Sequence, residues 1–487
     1  MSLPNAGVEG AARHEGKLEE NAIGLLQDTV MGMASSAPAA SIALTLAALA
    51  AATAYGSGAI IVLTAIPMLM IAYAYRRLNL WNQNAGAAYE WVGRAMNPYL
   101  GFMIGWLMIA GYVIATVSGV EVLGPSVLAV FGAGGSNTWG NIGIATAVGL
   151  VMVVLAVVGI KLTARTQVGM AAVEYAILIG FAIVGVVAIA DHWHGTMHLT
   201  ASWLSPSGIG GKGSAVAGFL IAVFIFTGWD GSIYVNEEAK NRSRTPGTAA
   251  MLAVAALCVI YVLAIVGLQG VVHPSALQAH GTSALVYVAG ALGGGSWSKV
   301  MALSLALSVI ATTGTGIVLT ARIVYSMARD RVLPPLFSRV SSRYSTPAIA
   351  SIVIGVVIVA LAWVYLLATS VQSAFTDVVD VSGLLFGIFY IGTALATITF
   401  YRRLLRSSLK EFILVGVLPL ASAGFLVWVV VKSLITAPAA QLWSLLGIVV
   451  VGLALMAIAR WSEKAPFFFL PRQKYQVAVE DKSTIAE

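Results

Sequence analysis

Charge is what this sequence has least of: Asp, Glu, Lys and Arg make up 10% of its 487 residues, against about a quarter in soluble domains. Water is therefore not its main solvent. Cysteine is nearly missing as well, and the single Cys258 excludes an intrachain disulfide. No H-E-x-x-H, G-x-S-x-G or ligand-spaced Cys/His cluster occurs, which removes the common hydrolase and metalloprotease sites. No P-loop occurs, which removes a nucleotide-driven pump; the stretch 208–213 is glycine-rich but lacks the GK[ST] ending. The first thirty residues run from polar to helical without an A-x-A site, unlike a cleaved signal peptide. Tails and loops are short, leaving no room for a separate globular domain.

What is present in abundance is apolar sequence, 59% of the chain. It falls into twelve blocks: 21–53, 58–76, 99–129, 142–159, 168–190, 215–235, 248–271, 298–327, 348–368, 375–400, 412–431 and 442–459. Blocks of about 17–25 residues suit helices crossing a core roughly 30 Å thick. Barrel strands would alternate apolar and polar residues, and these blocks do not. The expected fold is all-α: a polytopic membrane protein of twelve transmembrane helices. Its layout is a tail (1–20), a transporter core (21–406), helices 11 and 12 (407–461) and a second tail (462–487). With both termini inside, only Lys212, Lys299 and Lys432 of the 27 Lys and Arg lie outside. The positive-inside rule thus places both tails in the cytoplasm and gives the excess positive charge a role at the bilayer. No basic patch with interleaved aromatics calls for nucleic acid. Abundant small residues suit a prokaryotic inner membrane, and the oligomeric state stays open.

Two of the blocks are interrupted. In the first, Ala34-Ser35-Ser36-Ala37-Pro38 sets small polar residues and a proline inside an apolar run, and the proline removes one amide while biasing Ala37 away from the helix. In the sixth, Phe226-Thr227-Gly228-Trp229-Asp230-Gly231 places two glycines and a carboxylate mid-span. The breaks occupy matching places, blocks one and six, of a five-plus-five arrangement, the pattern that marks a transporter's midplane site. An unwound turn exposes amides and carbonyls that lipid cannot satisfy. A zwitterion satisfies both, its carboxylate at a half-helix N-terminus and its ammonium at the carbonyls. Amino acids fit that chemistry better than sugars or plain ions.

Three collinear stretches carry a family resemblance. They are Asn84-Ala85-Gly86-Ala87-Ala88-Tyr89 through Asn97-Pro98-Tyr99-Leu100-Gly101 to Gly105-Trp106, then Phe226-Thr227-Gly228-Trp229-Asp230 with Asn236-Glu237-Glu238-Ala239-Lys240-Asn241 and Thr245-Pro246, and finally Ala321-Arg322 through Tyr325-Ser326-Met327-Ala328-Arg329-Asp330 to Leu333-Pro334 and Thr346-Pro347. Together they resemble the amino acid–polyamine–organocation (APC) superfamily over about 21–406. The resemblance implies two inverted repeats, about 21–190 and 215–400, with the substrate between broken helices 1 and 6. It implies substrate contacts from Ala34, Ser35, Ser36, Ala37, Phe226, Thr227, Gly228, Trp229 and Asp230. It also implies rocking of helices 1, 2, 6 and 7, with Gly58, Gly228 and Gly231 absorbing part of the movement. Members often carry Gly-x-Gly in the first unwound segment, where this chain has alanines and serines.

Uphill transport needs a coupling group, and two buried acids are candidates. Asp230 occupies a position that is acidic in many members of the family. Glu174 lies mid-helix in the fifth block, where members often have lysine, so the charge is inverted here. Proton coupling through Glu174 is the expectation; sodium held by Glu174 with hydroxyls of Thr312, Thr313 or Thr315 is the alternative. No other cofactor and no resident metal is implied, and the partners are a small solute and the bilayer. Polyamine or amine transport, amino-acid exchange and a channel are the competing functions.

Weaker signals read as structure. Glu121, Asp377 and Asp380 suit solvated helix ends, and His192, His194 and His198 suit an external loop. Trp229, Phe386 and Tyr390 are possible aromatic gates. Glu237, Glu238, Lys240, Arg242, Arg244, Arg322, Arg329, Asp330 and Arg331 suit salt bridges across cytoplasmic helix ends.

Overall fold

The computed structural model describes residues 17–133, 137–193, 195–209, 215–367 and 372–474, with the backbone alone for 372–380 and 462. The regular elements among them are helical, apart from a lone parallel bridge between Ile23 and Ala239. In chain order they are α1 (Leu25–Ser35), α2 (Pro38–Thr53), α3 (Ser57–Trp81), α4 (Ala88–Ala95), α5 (Pro98–Ser118), α6 (Val120–Val130), α7 (Thr138–Val158), α8 (Ile160–Ala190) and α9 (Ala215–Ile225). A 3-10 segment, Trp229–Glu238, follows. Then come α10 (Thr245–Gln269), α11 (Pro274–His280), α12 (Ala284–Gly293), α13 (Gly295–Arg329), α14 (Ala348–Leu367), α15 (Gln372–Phe400), α16 (Leu409–Phe412), α17 (Leu418–Thr436) and α18 (Ala439–Ala457).

Eleven helical stretches among the described residues are long and apolar enough to cross a membrane. The first, Leu25–Trp81, has 57 residues and as one helix would measure about 85 Å, nearly three times the hydrocarbon thickness. It is divided at Ala54, whose φ of 49° ends α2. That division makes two crossings of one stretch and gives the twelve spans expected from the sequence. The protein is a multi-pass membrane protein.

Three short helices, α4, α11 and α12, lie where the apolar blocks leave gaps. None is long enough to cross, and Glu90 and Arg94 interrupt the apolar run of α4. Inside the bundle the helices differ in role. Buried residues make up 78% of the most apolar window of α13 and 11% of that of α18, so α13 is a central post and α18 a lipid-facing outer helix. Residues 463–474 fold back against the bundle. Phe467 stacks on Tyr89 with centroids 4.6 Å apart, Arg94 lies over its ring, and the Gln473 amide donates to the Arg94 carbonyl at 2.7 Å.

The back-folded segment sits where α4 has no side chain: a Cβ on Gly93 would come 2.4 Å from the Phe467 ring. Gly93→Ala and Phe467→Ala are each expected to lower the melting temperature of the detergent-purified protein, the second by about 3 kcal/mol of lost packing. The double variant removes the clash with the ring and is expected to cost clearly less than the sum. Strict additivity of the two would show that Phe467 does not rest on Gly93.

Candidate functional site

The first break lies between α1 and α2. α1 ends at Ser35, Ala37 takes a left-handed conformation (φ 46°), and Pro38 opens α2. Alanine in that region costs about 1–2 kcal/mol, which glycine would not. The freed backbone groups find partners on neighbouring helices. Thr312 Oγ1 donates to the Ala34 carbonyl at 2.7 Å and Ser41 Oγ to the Ser36 carbonyl at 2.7 Å. At the head of α2, the Ala39 amide donates to Glu174 Oε1 at 3.1 Å and the Ala40 amide to Ser308 Oγ at 3.3 Å. Glu174 therefore places a carboxylate where the α2 dipole is positive. Its other oxygen, Oε2, has no hydrogen-bond partner among the described residues, although the residue is fully buried.

The second break follows α9. Phe226, Thr227 and Gly228 separate it from the 3-10 segment, and Gly228 adopts φ 99°. A Cβ there would approach the Ser35 carbonyl oxygen to 2.5 Å, so the two breaks meet backbone against backbone and this position requires glycine. Tyr261 caps the end of α9, donating to the Ile225 carbonyl at 2.6 Å. Asp230 is fully buried and turned towards tyrosines: Tyr390 donates to Oδ1 at 2.7 Å and Tyr234 to Oδ2 at 2.5 Å. Trp229 stacks on Tyr390 at 5.2 Å and meets Tyr75 edge-on at 5.2 Å. Phe386 packs against Tyr390 in the same cluster.

Between the breaks lies a small cavity of about 40 Å³, lined by Ser35, Ser36, Ala37, Ser41, Thr227 and Thr312 with part of α5 and Val309 of α13. That volume is far below the several hundred Å³ of a typical ligand pocket, so this conformation leaves little room at the joint. The residues expected to touch substrate thus divide. Ser35, Ser36, Ala37 and Thr227 line the cavity, while Ala34, Phe226, Gly228, Trp229 and Asp230 are not among its lining residues. Thr312 lines it too, whereas Thr313 donates to the Val309 carbonyl within its own helix at 2.8 Å. The α2 amides expected for a substrate carboxylate already have Glu174 and Ser308 as partners. Sequence reasoning missed Ser41 and Ser308, whose signal is a run of hydroxyls at one-turn spacing, Ser41 with Thr45 and Ser304 with Ser308 and Thr312. It also missed Asp28, a fully buried acid of α1 with neither oxygen bonded among the described residues. Glu121 is partly buried and accepts from Tyr365 at 3.2 Å. His192 and His198 are exposed with rings 4.8 Å apart, and His194 lies outside the described residues, as do the side chains of Asp377 and Asp380.

Comparison with known proteins decides the family, since the pattern of the amino acid permease family matches residues 23–457. The chain belongs to the amino acid permease family. Among curated relatives, the low-affinity putrescine importer PlaP of Escherichia coli is 26% identical over 60% of this chain and 64% of its own. The vacuolar cationic amino acid transporter 4 of Arabidopsis thaliana is 26% identical over 62% of this chain and 51% of its own. The glutamate/serine transporter AimA of Bacillus subtilis is 25% identical over 60% and 57%. The alignments thus span roughly half to two thirds of these relatives. Among solved structures, a manganese transporter of Eremococcus coleocola superposes with a TM-score of 0.56 over 92% of this chain and 98% of that one, at 13% identity. That likeness supports the fold alone.

On the N-terminal side of the joint, the helices of the permease are held together by charge. Arg322 and Glu238 form a two-pronged pair at 2.5 and 2.8 Å, both side chains wholly buried. Arg329 and Glu237 form a second pair at 2.8 and 3.1 Å that is partly exposed. The loop before α4 plugs into them: the Ala85 amide donates to Glu237, Ser326 donates to Asn84 Oδ1, and Asn236 Nδ2 donates to the Asn84 carbonyl. Tyr89 donates to Asp330 at 2.9 Å. Burial first, and the Asp330 charge second, push the Glu90 carboxyl above the usual carboxylate range, with Arg94 pulling the other way.

These two pairs are expected to respond differently to mutation. Glu238→Gln leaves a buried guanidinium uncompensated and is expected to cost about 3–5 kcal/mol. Arg329→Gln, at the partly exposed pair, is expected to cost under about 1 kcal/mol. Melting temperatures of the purified variants check the order. At the joint, Ala37→Gly relieves the left-handed alanine and is expected to stabilise by about 0.5–1 kcal/mol, a loss of stability instead showing that the turn is not strained.

Proposed function

We propose that the protein is a secondary active transporter that carries amino acids across the membrane by alternating access, coupled to protons. The observation that carries this reading is the Glu174 carboxylate on the first free amide of α2, beside a hydroxyl-lined cavity where two helix breaks meet. Family membership and relatives named for amino acids and for putrescine support the substrate class.

The coupling follows from electrostatics. The positive end of α2 accommodates one anion well. While Glu174 is ionised it occupies that end, and a substrate carboxylate approaching Ser36 and Ala37 meets a like charge. A proton on Glu174 removes that charge and leaves the N-terminus to the substrate. Proton and substrate therefore favour one another's binding, and linkage makes the effect reciprocal. Substrate binding tightens as pH falls. The substrate ammonium falls to the carbonyls around the break and to the hydroxyls of Ser35, Thr227 and Thr312. Asp230 acts through Tyr390, whose hydroxyl also accepts from the Gly228 amide at 3.3 Å, and so holds the second break in shape. Residues 21–406 form the working core as two inverted halves, and 407–461 add the outer helices. The distribution of Lys and Arg supports a cytoplasmic side for both termini, and the bacterial relatives support an inner membrane.

Proteoliposomes with an imposed pH gradient test this. The parent is expected to accumulate an amino acid against its gradient, more so when the outside is acid. Glu174→Gln is expected to retain counterflow while losing gradient-driven accumulation and the pH dependence of binding. Unchanged uphill uptake in that variant, with the parent's pH profile, sinks proton coupling through Glu174. Accumulation of putrescine but no amino acid moves the assignment to amines, and a sodium requirement moves the coupling ion.

A further inference from the structure

We propose that the cavity where α13 and α18 leave the bilayer on the N-terminal side binds the headgroup of an anionic phospholipid. This cavity is separate from the transport joint and far larger, about 870 Å³. Two of its cations, Lys17 and Arg331, are exposed and form no ion pair among the described residues. A third, Arg329, is already neutralised by Glu237 and lies 5.1 Å above the Tyr325 ring. Against these stands one lining carboxylate, Glu463. The rim therefore has spare positive charge. Its wall is different, formed by Leu455 of the lipid-facing helix α18 and by Ile458, the residue just past its end. Ile458 is 55% exposed, and Trp461, three residues on, is 72% exposed, as suits an aromatic side chain at headgroup depth.

A basic rim joined to an apolar, lipid-facing wall matches an amphiphile rather than a free anion. The phosphate of a phospholipid reaches Lys17 and Arg331, while its glycerol and the start of its acyl chains run along Leu455 and Ile458. Basic pockets between membrane helices recognise anionic lipids in this way. A zwitterionic choline headgroup brings its own cation and gains little from a surplus of positive charge. A soluble phosphate uses the rim alone and leaves the apolar wall wet. The site also adjoins the ion pairs, because Arg329 joins the cavity to Glu237 and the plugging loop. A bound anionic lipid would hold that corner of the bundle together from the membrane side.

The test uses the full chain, delipidated in neutral detergent. Phosphatidylglycerol and phosphatidylcholine with identical acyl chains are titrated in turn, with melting temperature and retained lipid in native mass spectra as readouts. Inorganic phosphate and glycerol phosphate serve as headgroup-only controls. Phosphatidylglycerol is expected to stabilise and to stay bound, phosphatidylcholine is not, and salt should weaken the effect. Lys17→Gln and Arg331→Asn are each expected to weaken apparent affinity about fivefold. Asparagine suits the left-handed backbone of Arg331 (φ 59°), so the second variant should fold, and lipid-free melting temperatures equal to the parent's check this. If Arg331→Asn is nevertheless unstable, Lys17→Gln carries the test alone. Equal affinity for both lipids, or unchanged phosphatidylglycerol binding in the variants, overturns the proposal. Stabilisation by inorganic phosphate or glycerol phosphate to the same extent overturns it in favour of a soluble anion.

Discussion

A helix interrupted inside hydrocarbon has to find a partner for every amide and carbonyl that the interruption frees, because lipid offers none. Much of the arrangement around the joint follows from that requirement. Glu174 and Ser308 meet the amides of Ala39 and Ala40, while Thr312 and Ser41 meet the carbonyls of Ala34 and Ser36. Tyr261 and Tyr390 do the same at the second break. Apart from Ser41 of α2 itself, the partners at the first break come from α8 and α13 and those at the second from α10 and α15, so the two breaks together tie down four other helices. The hydroxyls of Ser304, Ser308 and Thr312, one turn apart along α13, all satisfy backbone groups of other helices or of the break.

The two sides of the joint are closed by different physics. On the N-terminal side the closure is ionic and dry: a guanidinium and a carboxylate with no exposure, backed by an asparagine network and a plugging loop. Such a pair is weak evidence for stability, since the cost of removing both charges from water offsets much of their attraction. Its value lies in being hard to break by halves. At the joint the closure is a matter of close approach. Ser35 and Gly228 touch through their backbones, and what space remains is lined by small hydroxyls. The contact between Ser35 and Gly228 itself involves no charge.

Much of the fold could be read from the sequence because lipid imposes a simple rule: apolar runs of spanning length are helices. Both breaks were visible for the same reason, as Pro38 and Gly228 contradict the runs around them. What could not be read was geometry across helices. Nothing local says that Glu174 faces the head of α2, 135 positions away in sequence, nor that Asp230 turns to tyrosines of its own segment and of α15. The expectation that a substrate carboxylate takes amides at a half-helix N-terminus did not extend to Glu174 and Ser308, the partners that long-range packing supplies at the head of α2. Asp28 escaped notice because it sits near the start of an apolar block, where an acid reads as a helix-end residue, and only packing buries it. The short helices α4, α11 and α12 escaped because a rule based on spanning length is blind to helices that do not span.

The position of Glu174 gives its inverted charge a physical meaning. A lysine at that point would oppose the positive end of α2 and would have to turn elsewhere for partners, whereas a carboxylate is drawn to that end. The attraction has a consequence for binding. An acid bound to a helix N-terminus is a mimic of the group that the N-terminus would otherwise recognise, in this case a substrate carboxylate. Closure without substrate is then chemically complete, with the amides satisfied and the cavity reduced to about 40 Å³. Under the proposed mechanism, admitting a substrate requires Glu174 to give up its claim on that end, either by moving or by losing its charge. Movement is resisted, since Glu174 is fully buried and its own carbonyl accepts from Ser304 at 3.1 Å. The proposed alternative, neutralisation, needs only a proton, and Oε2, which has no hydrogen-bond partner among the described residues, could take it without breaking the bond to Ala39.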